Sequence, residues 1–214
     1  MSIKERFNIR GVNKGEIKEW FLQKHYAKRM PSVSYCYGLY EGTTLVGIVS
    51  FGMPAMYVEM EAWRPFELLE LNRLVVSEGL PKNALSYFVS GAIKYLPTPR
   101  VLLSYSDLKQ GHHGYIYQAT NWHYTGIGGL GHHVFIMKDG TQKHERHSKT
   151  LDPDLIERVE PITVGKARYY YFHGNKREKR AMQEMLRFEV QPYPKGDNER
   201  YDASYEPNVQ LLAF

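Results

Sequence analysis

The strongest periodicity in the chain begins at Pro81. Leu85, Phe88, Val89, Ala92, Ile93 and Leu96 recur at helical spacing, which predicts a helix with one buried face. Pro81 suits its first turn, and Pro97 and Pro99 end it. Strand-like runs flank it. Across 68–76, alternation places Leu69, Leu71, Arg73 and Val75 on one face and Glu70 and Asn72 on the other. Residues 100–106 form a short apolar strand. A strand–helix–strand unit of this size predicts a right-handed parallel crossover within a mixed sheet.

Upstream, Asn13 and Glu16 read as a cap for a helix whose stripe is Ile17, Trp20, Phe21 and Leu22, ended by Pro31. The runs 33–40 and 44–51, separated by Glu41-Gly42-Thr43, give a hairpin signal, and 52–66 is irregular. Downstream, a short helix is expected over 113–121, strands over 122–127 and 132–138, and a turn at Asp139-Gly140. An aromatic strand follows over 167–173, then a charged helix over 175–188 and a Pro-, Gly- and Asp-rich tail from Gln191. The class is α/β (α+β). A core over 1–140 is expected to carry a basic, aromatic extension over 141–214 packed on it.

Charge sharpens this picture. The 214 residues carry 28 Lys and Arg against 23 Asp and Glu, net +5, which points to a polyanionic partner. Lys166, Arg168, Lys176, Arg177, Lys179 and Arg180 concentrate near Tyr169, Tyr170, Tyr171 and Phe172, a pattern that suits a nucleic-acid surface. A solvated helix face is the competing reading. The 17 tyrosines outnumber the 9 phenylalanines and suit a polar stacking surface better than a dry core. The single cysteine, Cys36, excludes a disulfide framework and reads as a buried thiol. No apolar run is long enough to span a bilayer, and 1–10 shows no signal segment, so a soluble cytoplasmic protein with no membrane partner is expected.

Candidate chemistry clusters just past the carboxyl end of the 100–106 strand, where open sheets with parallel strands place ligands. Asp107 reads as a base, an orienter of an imidazole or a helix cap. His113, Tyr117 and Asn121 would share a helix face, with Tyr117 either a proton donor or a half-buried aromatic. The loop 77–83 could seat a phosphate at the following helix N-terminus, or simply connect two elements. Nine histidines invite a metal, yet no H-E-x-x-H spacing occurs and no ligand set can be named.

The order of elements resembles a GNAT-type acyltransferase core: a mixed, mainly antiparallel sheet with a splayed parallel pair and flanking helices. That resemblance implies a donor such as acetyl-coenzyme A held by Leu74, Val75, Val76, Gly79, Lys82 and Asn83. More specifically, Leu69-Glu70-Leu71-Asn72-Arg73-Leu74-Val75-Val76, Gly79-Leu80-Pro81-Lys82-Asn83-Ala84-Leu85-Ser86 and Ser104-Tyr105-Ser106-Asp107 resemble the phage Mom family. So do the run from Gln110 to Trp122, with Tyr117-Gln118-Ala119-Thr120-Asn121-Trp122, and Gly174-Asn175-Lys176-Arg177-Glu178-Lys179. Membership would imply conversion of adenine in double-stranded phage DNA to N6-carbamoylmethyladenine, protecting it from host restriction.

The resemblance also implies a site built from Asp107, Tyr117, Ser106, His113 and Asn121, with His25 and Tyr26 reaching in from the first helix. Adenine's amine is a weak nucleophile hidden in the stack, so the base must be flipped out. Asp107 would take a proton from it, and Tyr117 would serve the leaving group. A carbamoylmethyl group attaches through its methylene carbon, so a further small-molecule donor or a transition metal such as Fe(II) is left open. An ordinary N-acyltransferase and a non-catalytic DNA-binding protein are the alternatives. An adenine methyltransferase is disfavoured, because no Asp/Asn-Pro-Pro-Tyr/Phe motif occurs.

Overall fold

A computed structural model describes residues 2–12, 14–25, 27–54 and 57–195. One turn of helix, α1 (Ile3–Arg6), leads into β1 (Phe7–Gly11), whose alternate residues Phe7 and Ile9 are buried. Helix α2 (Lys14–Glu19) relaxes into a π-turn over Trp20–Lys24 and stops at His25, well short of Pro31. The cap expected at Asn13 lies outside the described residues. The hairpin is β2 (Tyr35–Glu41) and β3 (Thr44–Gly52), followed by α3 (Tyr57–Ala62).

Next come β4 (Glu67–Val76), α4 (Ala84–Lys94), β5 (Arg100–Asp107) and a five-residue α5 (Tyr115–Ala119). The remaining strands are β6 (His123–Gly128), β7 (His133–Met137), β8 (Gln142–His144), β9 (Ile156–Pro161) and β10 (Lys166–His173). Helix α6 (Lys176–Glu184) follows, with Asn175 and Glu178 closing a capping box at its start.

Seven strands make the main sheet in the order β1-β2-β3-β4-β5-β10-β6, and β8-β7-β9 make a small second one. Within the main sheet only β4 and β5 run parallel. This is the mixed, mainly antiparallel sheet with flanking helices expected from the order of elements. The α4 stripe drives one core layer: Phe88, Val89, Ala92 and Ile93 pack with Leu69, Leu71 and Leu102. On the opposite face α2 buries Ile17, Trp20 and Phe21 over Ile48 and Val75, while α6 sets Met182 beside Val101, Leu103, Tyr170 and Phe172.

Three expectations change. First, β4 does not keep one alternation throughout. Ser50 pairs with Arg73 and Phe51 with Leu71, so Asn72 is an extra residue. Leu69 and Leu71 face α4, but beyond the bulge Arg73 and Val75 turn to the α2 side. The Asn72 amide holds the bulge, accepting from Ser50 Oγ at 2.7 Å and donating to the Ser32 carbonyl at 2.7 Å.

Second, residue 140 marks no edge of the main sheet. It sits between β7 and β8 of the small sheet, and β10 is an interior strand between β5 and β6. Third, that position buries the tyrosines read as a stacking surface: Tyr169 and Tyr170 are both 0% exposed. Burial costs little where each hydroxyl finds an acceptor, the His113 carbonyl for Tyr169 and the Glu59 carboxylate for Tyr170. Cys36 packs against the α2 layer, and burial pushes its thiol up to about 12. Among the described residues no helix is long and apolar enough to cross a membrane.

Phe88, wholly buried between α4 and the sheet, should dominate this layer. Phe88→Ala is expected to lower unfolding free energy by about 3–5 kcal/mol in urea titrations, and exposed Lys94→Ala by less than about 0.5 kcal/mol.

Candidate functional site

Between β4 and β5 the sheet opens. Four registered pairs join the strands, from Glu67 with Arg100 to Glu70 with Leu103, and pairing then stops while both strands continue. The Ser77 amide donates to the Val46 carbonyl at 2.8 Å, which fixes the alternation of hydrogen bonds between β3 and β4. By that alternation the backbone groups of Arg73 and Val75 turn to β3, and those of Leu74 and Val76 turn into the gap. The side chain of Val75 is buried under α2, so it belongs to the core and not to a coenzyme surface. Gly79, Lys82 and Asn83 lie in the exposed connection to α4, where Gly79 and Asn83 both take positive φ.

Ser104 closes the apex of this fork. Its hydroxyl lies 2.8 Å from the Leu71 carbonyl and 2.7 Å from the Tyr117 hydroxyl. One serine proton cannot serve both, so Tyr117 donates to Ser104 and Ser104 donates to Leu71. The serine thereby replaces the strand-to-strand bond that divergence removes. Tyr117 is held within an aromatic cluster, 5.0 Å from Tyr169 and 5.2 Å from Trp122 between ring centres. Gly114 permits that packing, because a Cβ there would meet the Tyr169 ring at 2.6 Å. Ser106, two residues along β5 from Ser104, is buried beside the Tyr169 hydroxyl.

Asp107 ends β5 at the open mouth. One carboxylate oxygen caps the next turn, accepting from the Lys109 amide at 3.1 Å. The other lies 3.6 Å from the Lys166 ammonium. Asp107 thus caps the turn through one oxygen, while the second faces the Lys166 ammonium.

His25 is carried to the same region by the π-turn, whose closure is the His25 amide bonding the Trp20 carbonyl at 3.0 Å. Its Nδ1 accepts from the Ala27 amide at 3.0 Å, so the ring proton sits on Nε2. Burial, and then the nearby Arg73, His112, Arg29 and Lys166, lower its pKa to about 3. His25 is thus a fixed neutral donor rather than a base. Lys166 and His112, which influence His25 and lie at the Asp107 end of β5, link the π-turn to the fork.

Other expected members fall elsewhere. Helix α5 is too short to carry His113, Tyr117 and Asn121 together. His113 precedes it, and its backbone carbonyl is what the structure uses, accepting from Tyr169 and Gln118. Asn121 follows it in a left-handed conformation, φ 60°, and is exposed. It lines a cleft of about 240 Å³ with His123, Tyr171, Phe172, Lys179 and Gln183, toward the far end of β10 from Lys166. Tyr26 lies outside the described residues.

The basic set divides. Arg168 is a structural stitch: its guanidinium donates to the Thr125 hydroxyl and carbonyl, each at 2.9 Å, and its face covers Phe188 at 3.4 Å. Those contacts leave it unsuited to reading a phosphate. Lys176, Arg177, Lys179 and Arg180 are exposed on α6, with Arg180 also pairing Glu184. On the small sheet Glu145 accepts from His132 and His133, which lowers its pKa to about 2. Among the described residues no three His, Cys, Asp or Glu are arranged to hold a metal ion.

Two measurements test this geometry. Ser104→Ala strands the Tyr117 hydroxyl and the Leu71 carbonyl and should cost about 1–3 kcal/mol in chemical denaturation. His25 takes up a proton in the unfolded chain near pH 6.5 but in the folded protein only near pH 3. Stability should accordingly be fully kept above pH 6.5 and fall as pH drops through that window, by about 1.4 kcal/mol per unit at most. His25→Gln should flatten the difference between unfolding curves at pH 7.5 and pH 5.0.

The chain is similar to several known proteins. It is 29% identical over 194 residues to the methylcarbamoylase Mom of Escherichia phage Mu, spanning 80% of this chain and 77% of that protein. Among solved structures it is similar to a polyamine N-acetyltransferase of Drosophila melanogaster, at 10% identity and TM-score 0.46, covering 78% of this chain and all of that one. It is likewise similar to an N-acetyltransferase of Staphylococcus aureus Mu50, at 12% identity and TM-score 0.46, covering 78% and 98% of the two chains. The model of the Mom protein family matches residues 6–195, nearly the whole described chain, and the chain belongs to that family.

Proposed function

We propose that the protein is a DNA-modifying transferase that installs a carbamoylmethyl group on the N6 amine of adenine. The observation that carries this reading is the fork. It has the Tyr117–Ser104 hydroxyl pair at its apex and Asp107, facing Lys166, at its mouth, in a chain that belongs to the Mom family. The Mu relative is a methylcarbamoylase, which accords with a group of that kind.

In this reading the base leaves the duplex and its amine approaches the mouth of the fork. Asp107 takes the proton that N6 loses as the new N–C bond forms. The bond from the transferred carbon to its leaving group breaks, and Tyr117, its O–H swung away from Ser104, supplies that group with a proton, which is restored from water as Asp107 gives up the one it took. His25 Nε2–H, held as a donor, is available to the carbonyl oxygen of the transferred carbamoylmethyl group. Ser106 supports the floor beside Tyr169.

The gap suits a coenzyme A thioester, whose carbonyl carbon on N6 would give an amide; the methylene–nitrogen bond of a carbamoylmethyl group therefore calls for a further small-molecule donor that carries the leaving group on its methylene carbon. The unpaired edge of Leu74 and Val76 offers the backbone groups an extended amide-bearing arm would pair with. The connection bearing Gly79, Lys82 and Asn83 leads to the positive end of α4 for its phosphates. Double-stranded DNA would approach the exposed basic face of α6, with Lys176, Arg177, Lys179 and Arg180 neutralising phosphates.

The test is expression alongside plasmid DNA, digestion to nucleosides and mass analysis of deoxyadenosine. Modified deoxyadenosine is expected with the native chain, and its absence would sink the proposal. Asp107→Ala and Tyr117→Phe should each reduce the modified fraction by about a hundredfold or more while leaving DNA affinity within about twofold. Neutralising the four α6 cations together should lower the slope of log K against log salt by up to about 3.6.

A further inference from the structure

The cleft of about 240 Å³ beside α6 is no part of the fork, and two elements supply its walls. One wall is the corner between α5 and β6. There the Asn121 amide donates to the Gln118 carbonyl at 3.1 Å and the Trp122 amide to the Tyr117 carbonyl at 2.9 Å. Such a helix closure needs a left-handed residue, which Asn121 supplies at φ 60° while its carboxamide stays exposed. The other wall is a flank of α6, where Lys179 and Gln183 stand one turn apart on the same side of the helix.

The floor lies where two strand pairings end at different places. Pairing of β10 with β6 stops at Tyr170 and His123, whereas pairing with β5 continues to His173 and Arg100. Beyond Tyr170 the main sheet has no strand on the β6 side of β10, and Tyr171 and Phe172 line the cleft there. The His123 ring lies 5.3 Å from that of Phe172 between centres. Burial lowers the His123 pKa, so the ring is neutral and carries one N–H.

Asn121, Gln183, Lys179 and His123 can all donate hydrogen bonds, and Lys179 adds a positive charge. Among the described residues no carboxylate lines the cleft. That set calls for an anion. Lys179 is continuous with Lys176 and Arg180 on the exposed side of α6, a row of cations that suits a polyanion better than one small ion.

Register relates the cleft to the candidate site. Asp107 pairs with Lys166, and alternation puts Lys166, Arg168, Tyr170 and Phe172 on the same face, the one that α6 covers. From Lys166 to Phe172 is six residues of extended strand, about 20 Å. In duplex DNA that distance spans no more than about six base steps.

We infer that this cleft seats one phosphodiester of the DNA, with Asn121, Gln183 and Lys179 donating to its oxygens, and so fixes the register of the duplex against Asp107. The inference rests on the adenine-modifying reading above. A phosphate carries no sequence information, but a rigid seat for one of them sets which nucleotide reaches the mouth of the fork. The aromatic floor of Tyr171 and Phe172 suits the sugar beside that phosphate.

The experiment uses short duplexes, each with one central adenine, and lysates of cells expressing the full chain, which supply the donor. Single phosphates up to six steps on either side are replaced in turn by neutral methylphosphonates. Modified deoxyadenosine is read by mass at limiting duplex. With the native chain, one replacement away from the adenine's own phosphates should slow modification about tenfold. The double variant Asn121→Gly with Gln183→Ala keeps the left-handed turn and removes both carboxamides. It should modify the unreplaced duplex about tenfold more slowly, and the same replacement should then cost about threefold or less. A native chain with no sensitive phosphate beyond those flanking the adenine would overturn the inference. So would a phosphate that stays equally sensitive in the variant, or a loss that follows the base at that position and not its phosphate. A native chain that leaves the unreplaced duplex unmodified would instead remove the adenine-modifying reading itself.

Discussion

A sheet that stops pairing in its own interior must satisfy the backbone groups it leaves behind. Here the parallel pair β4–β5 separates after Glu70 and Leu103, and the Ser104 hydroxyl takes over the Leu71 carbonyl at the point of divergence. The surrounding structure keeps that point in place. The Asn72 bulge rotates the upper half of β4, so that Val75 packs under α2 while Leu74 and Val76 edge the gap. Tyr117, wedged among Tyr169 and Trp122, secures Ser104 from the other side. Remove the hydroxyl bridge and the two strands have no reason to hold a defined separation.

Charge is distributed to match. Around the buried imidazole of His25 stand Arg29, Arg73 and Lys166, with Asp107 the carboxylate that pairs Lys166. Burial first, and that surplus second, keep His25 uncharged, with its ring proton on Nε2. It also means that the basic excess legible in the composition has two locations, the fork and the outer face of α6. Arg168, between them in sequence, is committed to Thr125 and Phe188.

Local signals in the sequence were reliable where one element decides its own fate. The α4 stripe and the hairpin around Gly42 depend on spacing and side-chain chemistry within a few residues, and both are present. Features set by a distant partner were hidden. The bulge at Asn72 arises from register with Ser50 and Phe51, so alternation alone put Arg73 and Val75 on the wrong face. The tyrosines of β10 look like surface residues until β5 and β6 enclose them and supply acceptors for their hydroxyls. Of the site, Asp107 and Tyr117 could be found from their place after a parallel strand. The importance of Ser104 could not, because it follows from the carbonyl it satisfies 33 residues earlier.

The placement of β10 has a consequence in time. Strand β5, which carries Ser104, Ser106 and Asp107, has an open edge until residues 166–173 arrive to cover it. Pairing over such a separation incurs its loop-closure entropy before any contact repays it, which makes this union the slow step of a topology otherwise rich in neighbouring-strand contacts. During synthesis the ribosome would have to release β10 before the sheet could close. Until then β5 is an unprotected strand edge, the kind of surface that invites pairing with other chains. The open mouth of the fork is thus complete only once residues 166–173 have joined β5.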